Sequence, residues 1–160
     1  MEPAARFLCD EMLGRLCLYL RAAGIDAAFA QRGTADAALL RQCRNEGRYF
    51  LTQDAGIGEH KAAEGLAVIL PHVPLDRLAF LVGDRFHIDW LACAFTRCLK
   101  DNALLVPADA EGLAKVPNDA RRSGEPLRQC PACGRVYWRG SHYRRMRERL
   151  TSWQATLTAC

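Results

Sequence analysis

Through the first ninety residues, short apolar runs alternate with stretches whose apolar positions recur every three or four residues. Residues 6–10 (RFLCD) form an apolar run that closes on an acid and predict a strand. Residues 12–24 (MLGRLCLYLRAAG) set Leu13, Leu16 and Leu20 at helical spacing and stop at Gly24. Residues 27–30 predict a second strand. Residues 34–47 predict a helix with Thr34 or Asp36 at its amino-terminal cap and Gly47 as its stop. Residues 48–52 (RYFLT) and 66–70 (LAVIL) read as buried strands joined by a short helix, and residues 74–86 predict a further helix. This alternation is that of an α/β fold, a parallel sheet flanked by helices and joined by right-handed crossovers.

Near residue 95 the pattern changes to two cysteine-bearing segments separated by a polar stretch holding Pro107, Pro117 and Pro126. The expected division is therefore an α/β domain over 1–94 and a smaller module over 95–160. From Ser141, placed to cap a short terminal helix, Tyr143, Met146 and Leu150 form an apolar seam.

Asp10 and Glu11 fall where the first strand ends, Asp54 lies just past the strand ending in Thr52, and Asp36 opens the helix between. In an open parallel sheet the ligand crevice lies beyond the carboxyl ends of the strands, so Asp10 and Asp54 can converge there with Asp36 reaching in. Clustered carboxylates repel one another and recruit a divalent cation, Mg²⁺ or Mn²⁺. Such an ion orients a phosphate and activates water for in-line attack. Taken singly, Asp36 also reads as a helix cap and Asp54 as a turn former.

Charge is divided unevenly. Residues 1–90 carry 10 basic and 12 acidic side chains, whereas residues 91–160 carry 12 and 6. Nineteen of the 22 basic residues are arginine, whose planar fork suits phosphate and stacks on rings. A polyanionic partner is expected for the basic part. There is no apolar span near twenty residues and no leader-like start, so neither a membrane nor export is expected, and the predicted location is cytoplasmic.

Eight cysteines in that setting stay reduced. Cys9, Cys17, Cys43 and Cys93 read as core residues and Cys160 as a loose end. Cys130-Pro-Ala-Cys133-Gly is a zinc-knuckle pattern, and Cys98-Leu-Lys-Asp101 has the matching shape upstream with an acid in place of the second thiol. Cys98, Asp101, Cys130 and Cys133 are the expected Zn²⁺ ligands, with His142 as rival for the fourth position. A thioredoxin-like dithiol is the competing reading of the Cys130 pair.

Beyond the knuckle, Trp138, His142, Arg144 and Arg145 combine an aromatic face with cations, a pairing that suits single-stranded nucleic acid. Arg15 and Arg21 on the first predicted helix are candidate phosphate contacts or partners of surface carboxylates.

The segments FLCDEMLGRLCLYLRAAGIDA, ADAALL, EGRYFLTQDAGI, FTRCLKDNALL and CPACGRVYWRGSHYRRM, in that order, resemble the Mut-seven C-terminal RNase family. That resemblance implies a PIN-like nuclease fold with an inserted zinc ribbon, cleaving RNA with metal held by acids. By motif, Asp10 matches the first-strand acid, Asp36 the acid opening the second helix and Asp54 the acid of the Thr-x-Asp strand end. Gly56 stands where many relatives carry a further acid, and Asp101 stands where the family has cysteine.

The expected function is metal-dependent cleavage of RNA, with the basic ribbon holding a single strand. Its alternative is a non-catalytic nucleic-acid-binding ribbon protein with a degenerate nuclease site. A receiver-like phospho-acceptor role for Asp54 ranks lower, since only Lys61, Lys100 and Lys115 are present to supply the lysine it needs.

Overall fold

A computed structural model describes residues 4–160. Four short strands, β1 (Phe7–Cys9), β2 (Ala27–Phe29), β3 (Tyr49–Thr52) and β4 (Ala67–Ile69), pair in the order β2-β1-β3-β4, every pair parallel. Helices α1 (Gly14–Ala22), α2 (Asp36–Glu46) and α3 (Leu75–Phe86) flank this sheet. The expected α/β class is thus observed.

β1 is buried throughout because helices cover both sheet faces. Alternation along the strand decides which face each residue meets. Phe7 and Cys9 pack with Leu16 and Leu20 of α1 and Val82 of α3, while Leu8 joins Leu39 and Leu40 of α2 on the other side.

Two details of the connections differ from expectation. The link from β3 to β4 is a pair of 3-10 turns, Ala55–Glu59 and Lys61–Ala63, rather than a short α-helix. α2 has Ala35 at its cap position with no side-chain bond, because the Thr34 hydroxyl turns away and donates to the Gln31 carbonyl at 2.8 Å. Gly47 ends α2 in the left-handed region, as the sequence predicts.

The second half holds an antiparallel sheet of β5 (Val106–Pro107), β6 (Arg128–Gln129) and β7 (Val136–Tyr137). Two single-turn helices, α4 (Ala110–Ala114) and α5 (Asn118–Arg122), fill the excursion between β5 and β6. The last element, α6 (Ser141–Thr158), is 18 residues long, far beyond the short helix expected, with Gly140 rather than Ser141 at its cap position. Its seam continues through Trp153 and Leu157, and Met146, Leu150 and Trp153 are buried in the same core as α1 and α3. Leu150 is wholly inaccessible, so Leu150→Ala would cost about 2–5 kcal/mol.

Two glycines permit close approaches that fix this packing. A Cβ on Gly83, in the middle of α3, would lie 2.7 Å from Leu157 Cδ1 and 2.9 Å from Trp90 Nε1. A Cβ on Gly24, where φ is +81°, would lie 2.0 Å from the Cys93 carbonyl oxygen. Cys93 itself is exposed, unlike Cys9, Cys17 and Cys43, because its turn presents backbone to Gly24 and leaves the thiol outward.

The small sheet and its knuckle are docked on one rim of the large sheet through buried polar contacts. Arg21, 8% exposed, donates from Nε to the Ala27 carbonyl and from Nη1 to the carbonyls of Leu99 and Lys100. Asn102 accepts from the Ala27 amide at 3.0 Å and donates to Asp26 at 2.7 Å. Asp26 also pairs with Arg6 at 3.0 Å and Arg48 at 2.6 Å. These residues precede β1, β2 and β3. In a parallel sheet all amino ends share one rim, so the knuckle sits at the rim opposite the strand-end acids.

Candidate active site and metal centre

At the carboxyl rim, Thr52 ends β3 completely buried, and its hydroxyl links two of the acids. It donates to Asp10 Oδ2 at 2.6 Å and accepts from the Asp54 amide at 3.1 Å. Asp10 Oδ1 accepts from the Glu11 amide at 2.8 Å, and Asp54 Oδ1 accepts from the Gly56 amide at 2.8 Å. Both carboxylates are therefore oriented by the turn that follows their strand while retaining lone pairs for a ligand.

Asp36 occupies the first turn of α2, where the helix dipole favours an anion. Its recorded neighbour is His60 Nε2 at 3.8 Å, from the loop between β3 and β4. His60 carried no signal in the sequence, since the spacing of a loop residue does not report what it faces.

The three aspartates do not form a closed trio. Among the described residues, the one set of three or more potential ligands whose donor atoms all lie within 4.8 Å of one another is Cys98, Asp101, Cys130 and Cys133. The rim is an open arrangement, with Asp10 and Asp54 joined through Thr52 and Asp36 facing His60. Hard carboxylate oxygens in such a setting suit an ion that keeps most of its water, as Mg²⁺ and Mn²⁺ do. They do not suit an all-protein cage.

The cysteine cluster is a different case. Cys98 Sγ and Cys133 Sγ are 3.7 Å apart, and Cys130 Sγ lies 3.3 Å from each oxygen of Asp101. Four ligands at ordinary zinc distances and tetrahedral angles would be separated by roughly 3.5–3.8 Å. The set is compatible with zinc. His142 is absent from it and lies exposed at the start of α6, which removes it as the fourth ligand.

The pocket around these thiols is built for the metal's neighbours as well. The Cys133 amide points at Cys130 Sγ at 3.4 Å, and Tyr137 brings its hydroxyl within 3.1 Å of Cys98 Sγ while accepting from the Leu99 amide. Burial pushes the Cys130 thiol up to about 11 against the opposing Cys133 and Ala132 amides. Burial opposes charge on Asp101 too, but the Ala103 amide and the surrounding thiols hold it at about 2. A charged carboxylate thus faces the Cys130 thiol, with the Cys98 and Cys133 sulfurs close by, an arrangement that a cation would convert to ligation.

Of the remaining expected contacts, Arg15, Arg144 and Arg145 are exposed, and Trp138 is 39% exposed on the ribbon. Arg21 is not available to a ligand, because its guanidinium is buried and spent on three carbonyls. Helical spacing alone could not distinguish it from Arg15.

No helix is long and apolar enough to cross a membrane. No curated protein and no solved structure matches the chain significantly. The family model described as the Mut7-C RNAse domain matches residues 5–150, nearly the whole length. The chain belongs to the Mut7-C RNase domain family.

Proposed function

We propose that this protein is a metal-dependent ribonuclease whose working residues are Asp10, Asp54 and Asp36 at the carboxyl rim of the sheet. The observation that carries the reading is the Thr52 hydroxyl, which fixes the Asp10 carboxylate and the Asp54 backbone at adjacent strand ends. The family supplies RNA as the substrate class.

Asp10 and Asp54 would hold one Mg²⁺ or Mn²⁺, which when bound supplies charge neutralisation at the scissile phosphate and a water acidified for attack. Asp36, beside His60, stands where it can orient water or accept a proton at its carboxylate. Cys98, Asp101, Cys130 and Cys133 would hold a structural zinc that stiffens the ribbon. Trp138, His142, Arg144 and Arg145 line the way for a single RNA strand, and exposed Arg15 at the start of α1 adds a cation near the acids. The division into a catalytic part over 1–94 and a ribbon over 95–160 describes roles, since α6 completes the core of the first.

The open spacing of the aspartates and Gly56 favour one other reading, a nucleic-acid-binding protein without activity. Incubating the chain with Mn²⁺ and labelled single-stranded RNA separates the two. Cleavage by the wild type, lost in Asp54→Asn with RNA affinity retained, is expected; retention of intact RNA by the wild type would leave only binding.

A further inference from the structure

A cavity of about 570 Å³ lies between the ribbon and the start of α6, next to the carboxyl end of α1, where Phe95 and Arg97 bond the Ala22 and Gly24 carbonyls. Its size falls in the range of small-ligand sites. Phe95, Tyr137, Trp138 and Tyr143 supply ring surface, with Phe95 and Tyr143 centroids 4.2 Å apart and inclined by 44°. Gly140 leaves room for the Trp138 indole, whose Nε1 lies 3.0 Å from where a Cβ would stand.

The charged side chains of the lining are all arginines. Arg128, Arg135, Arg139 and His142 border the cavity, and no acidic side chain does. Arg139 is paired with Glu125 at 2.7 Å, and Arg97 is spent on the carbonyls of Gly24 and Asn102. Among the described residues, Arg128 and Arg135 have no carboxylate within ion-pair distance. An aliphatic side chain of a protein partner would need the rings but not two unpaired guanidinium groups. A base with its phosphate needs both.

We infer that this cavity is a nucleotide pocket, taking one unstacked base of the RNA strand against its aromatic lining with the adjoining phosphate on Arg128 and Arg135. The inference rests on the ribonuclease reading for its choice of RNA and gives the Trp138 end of the proposed RNA path a defined base-and-phosphate site. Tyr137 ties the pocket to the knuckle, because the same side chain walls the cavity and hydrogen-bonds Cys98 and Leu99. The pocket should therefore keep its shape only while the knuckle is intact.

AMP is the probe. Trp90 and Trp153 are buried, so the fluorescence of Trp138 reports the cavity in the full-length chain. Saturable quenching by AMP is expected, with adenosine and inorganic phosphate each weaker by about tenfold or more because each engages half of the site. By equilibrium dialysis of labelled AMP, Trp138→Ala and the Arg128→Ala/Arg135→Ala pair should each bind about tenfold more weakly, whereas Trp138→Phe should bind within a few-fold of wild type. Absence of saturation at millimolar AMP would overturn the inference. So would AMP binding unchanged in both disabling variants, or phosphate competing as well as AMP. Because binding is read without cleavage, RNA cut by a protein that ignores AMP would sink the pocket alone, and AMP bound by a protein that cuts nothing would sink the nuclease reading alone.

Discussion

Thr52 and Asp10 share a 2.6 Å hydrogen bond across the carboxyl rim, from a hydroxyl with no solvent exposure to a carboxylate at the end of the neighbouring strand. The bond aims Asp10, and the same hydroxyl anchors the backbone of Asp54. Thr52→Val keeps the shape and removes both contacts. It should lower stability by about 1–2 kcal/mol in urea denaturation and reduce single-turnover RNA cleavage more than RNA affinity. Equal losses in both would mean that the bond only holds the fold together.

At the knuckle, Asp101 stands among three thiols within ligand distance. Replacing its oxygen donor with sulfur, Asp101→Cys, should raise zinc affinity about tenfold or more in chelator competition, and Asp101→Ala should lower it. Zinc affinity unchanged in Asp101→Ala would place the metal elsewhere.

Much of this was legible in the sequence, for identifiable reasons. The strands and helices of the large sheet announce themselves because strands covered on both faces read as short unbroken apolar runs, while the helices between them bury one face and show a period near 3.6. The ligand set of the knuckle was legible because its four residues come as two short local segments. The full extent of α6 was also there to be read, since Trp153 and Leu157 continue the seam of Met146 and Leu150, but a boundary drawn at the change of composition hid it. Arg21 and His60 were not legible. Each is defined by a partner far along the chain, Lys100 for one and Asp36 for the other, and no local pattern encodes such pairs.

Acid sensitivity should centre on Asp26. Burial opposes its charge, yet Arg48, Asn102 and Arg6 bring its carboxyl down from 3.8 to about 2. A carboxyl depressed in the folded state stabilises the protein above its ordinary value, and that contribution is lost as the pH falls towards the depressed one. The size is on the order of 2 kcal/mol at neutral pH. Asp26→Asn should therefore be less stable near neutrality and should show a flatter loss of stability between pH values of about 4 and 2. A denaturation midpoint with the same acid limb as wild type would contradict this. Because Asp26 binds Asn102, the variant should also loosen the ribbon on its rim.

Arg144 and Arg145 project from α6 without recorded acidic partners among the described residues. Their joint replacement by alanine should weaken RNA binding and reduce the slope of log affinity against log salt by about one to two units. An unaltered slope would exclude this face of α6 from the RNA path.

The rim itself is tested most directly by counting bound Mn²⁺ with electron paramagnetic resonance on the full-length chain, zinc sites first saturated. One ion bound by the wild type, released in Asp10→Asn and in Asp54→Asn while both variants still retain RNA, is the expected result. An equal Mn²⁺ count in wild type and both variants would show that these aspartates hold no metal, and the proposed chemistry would have to be abandoned.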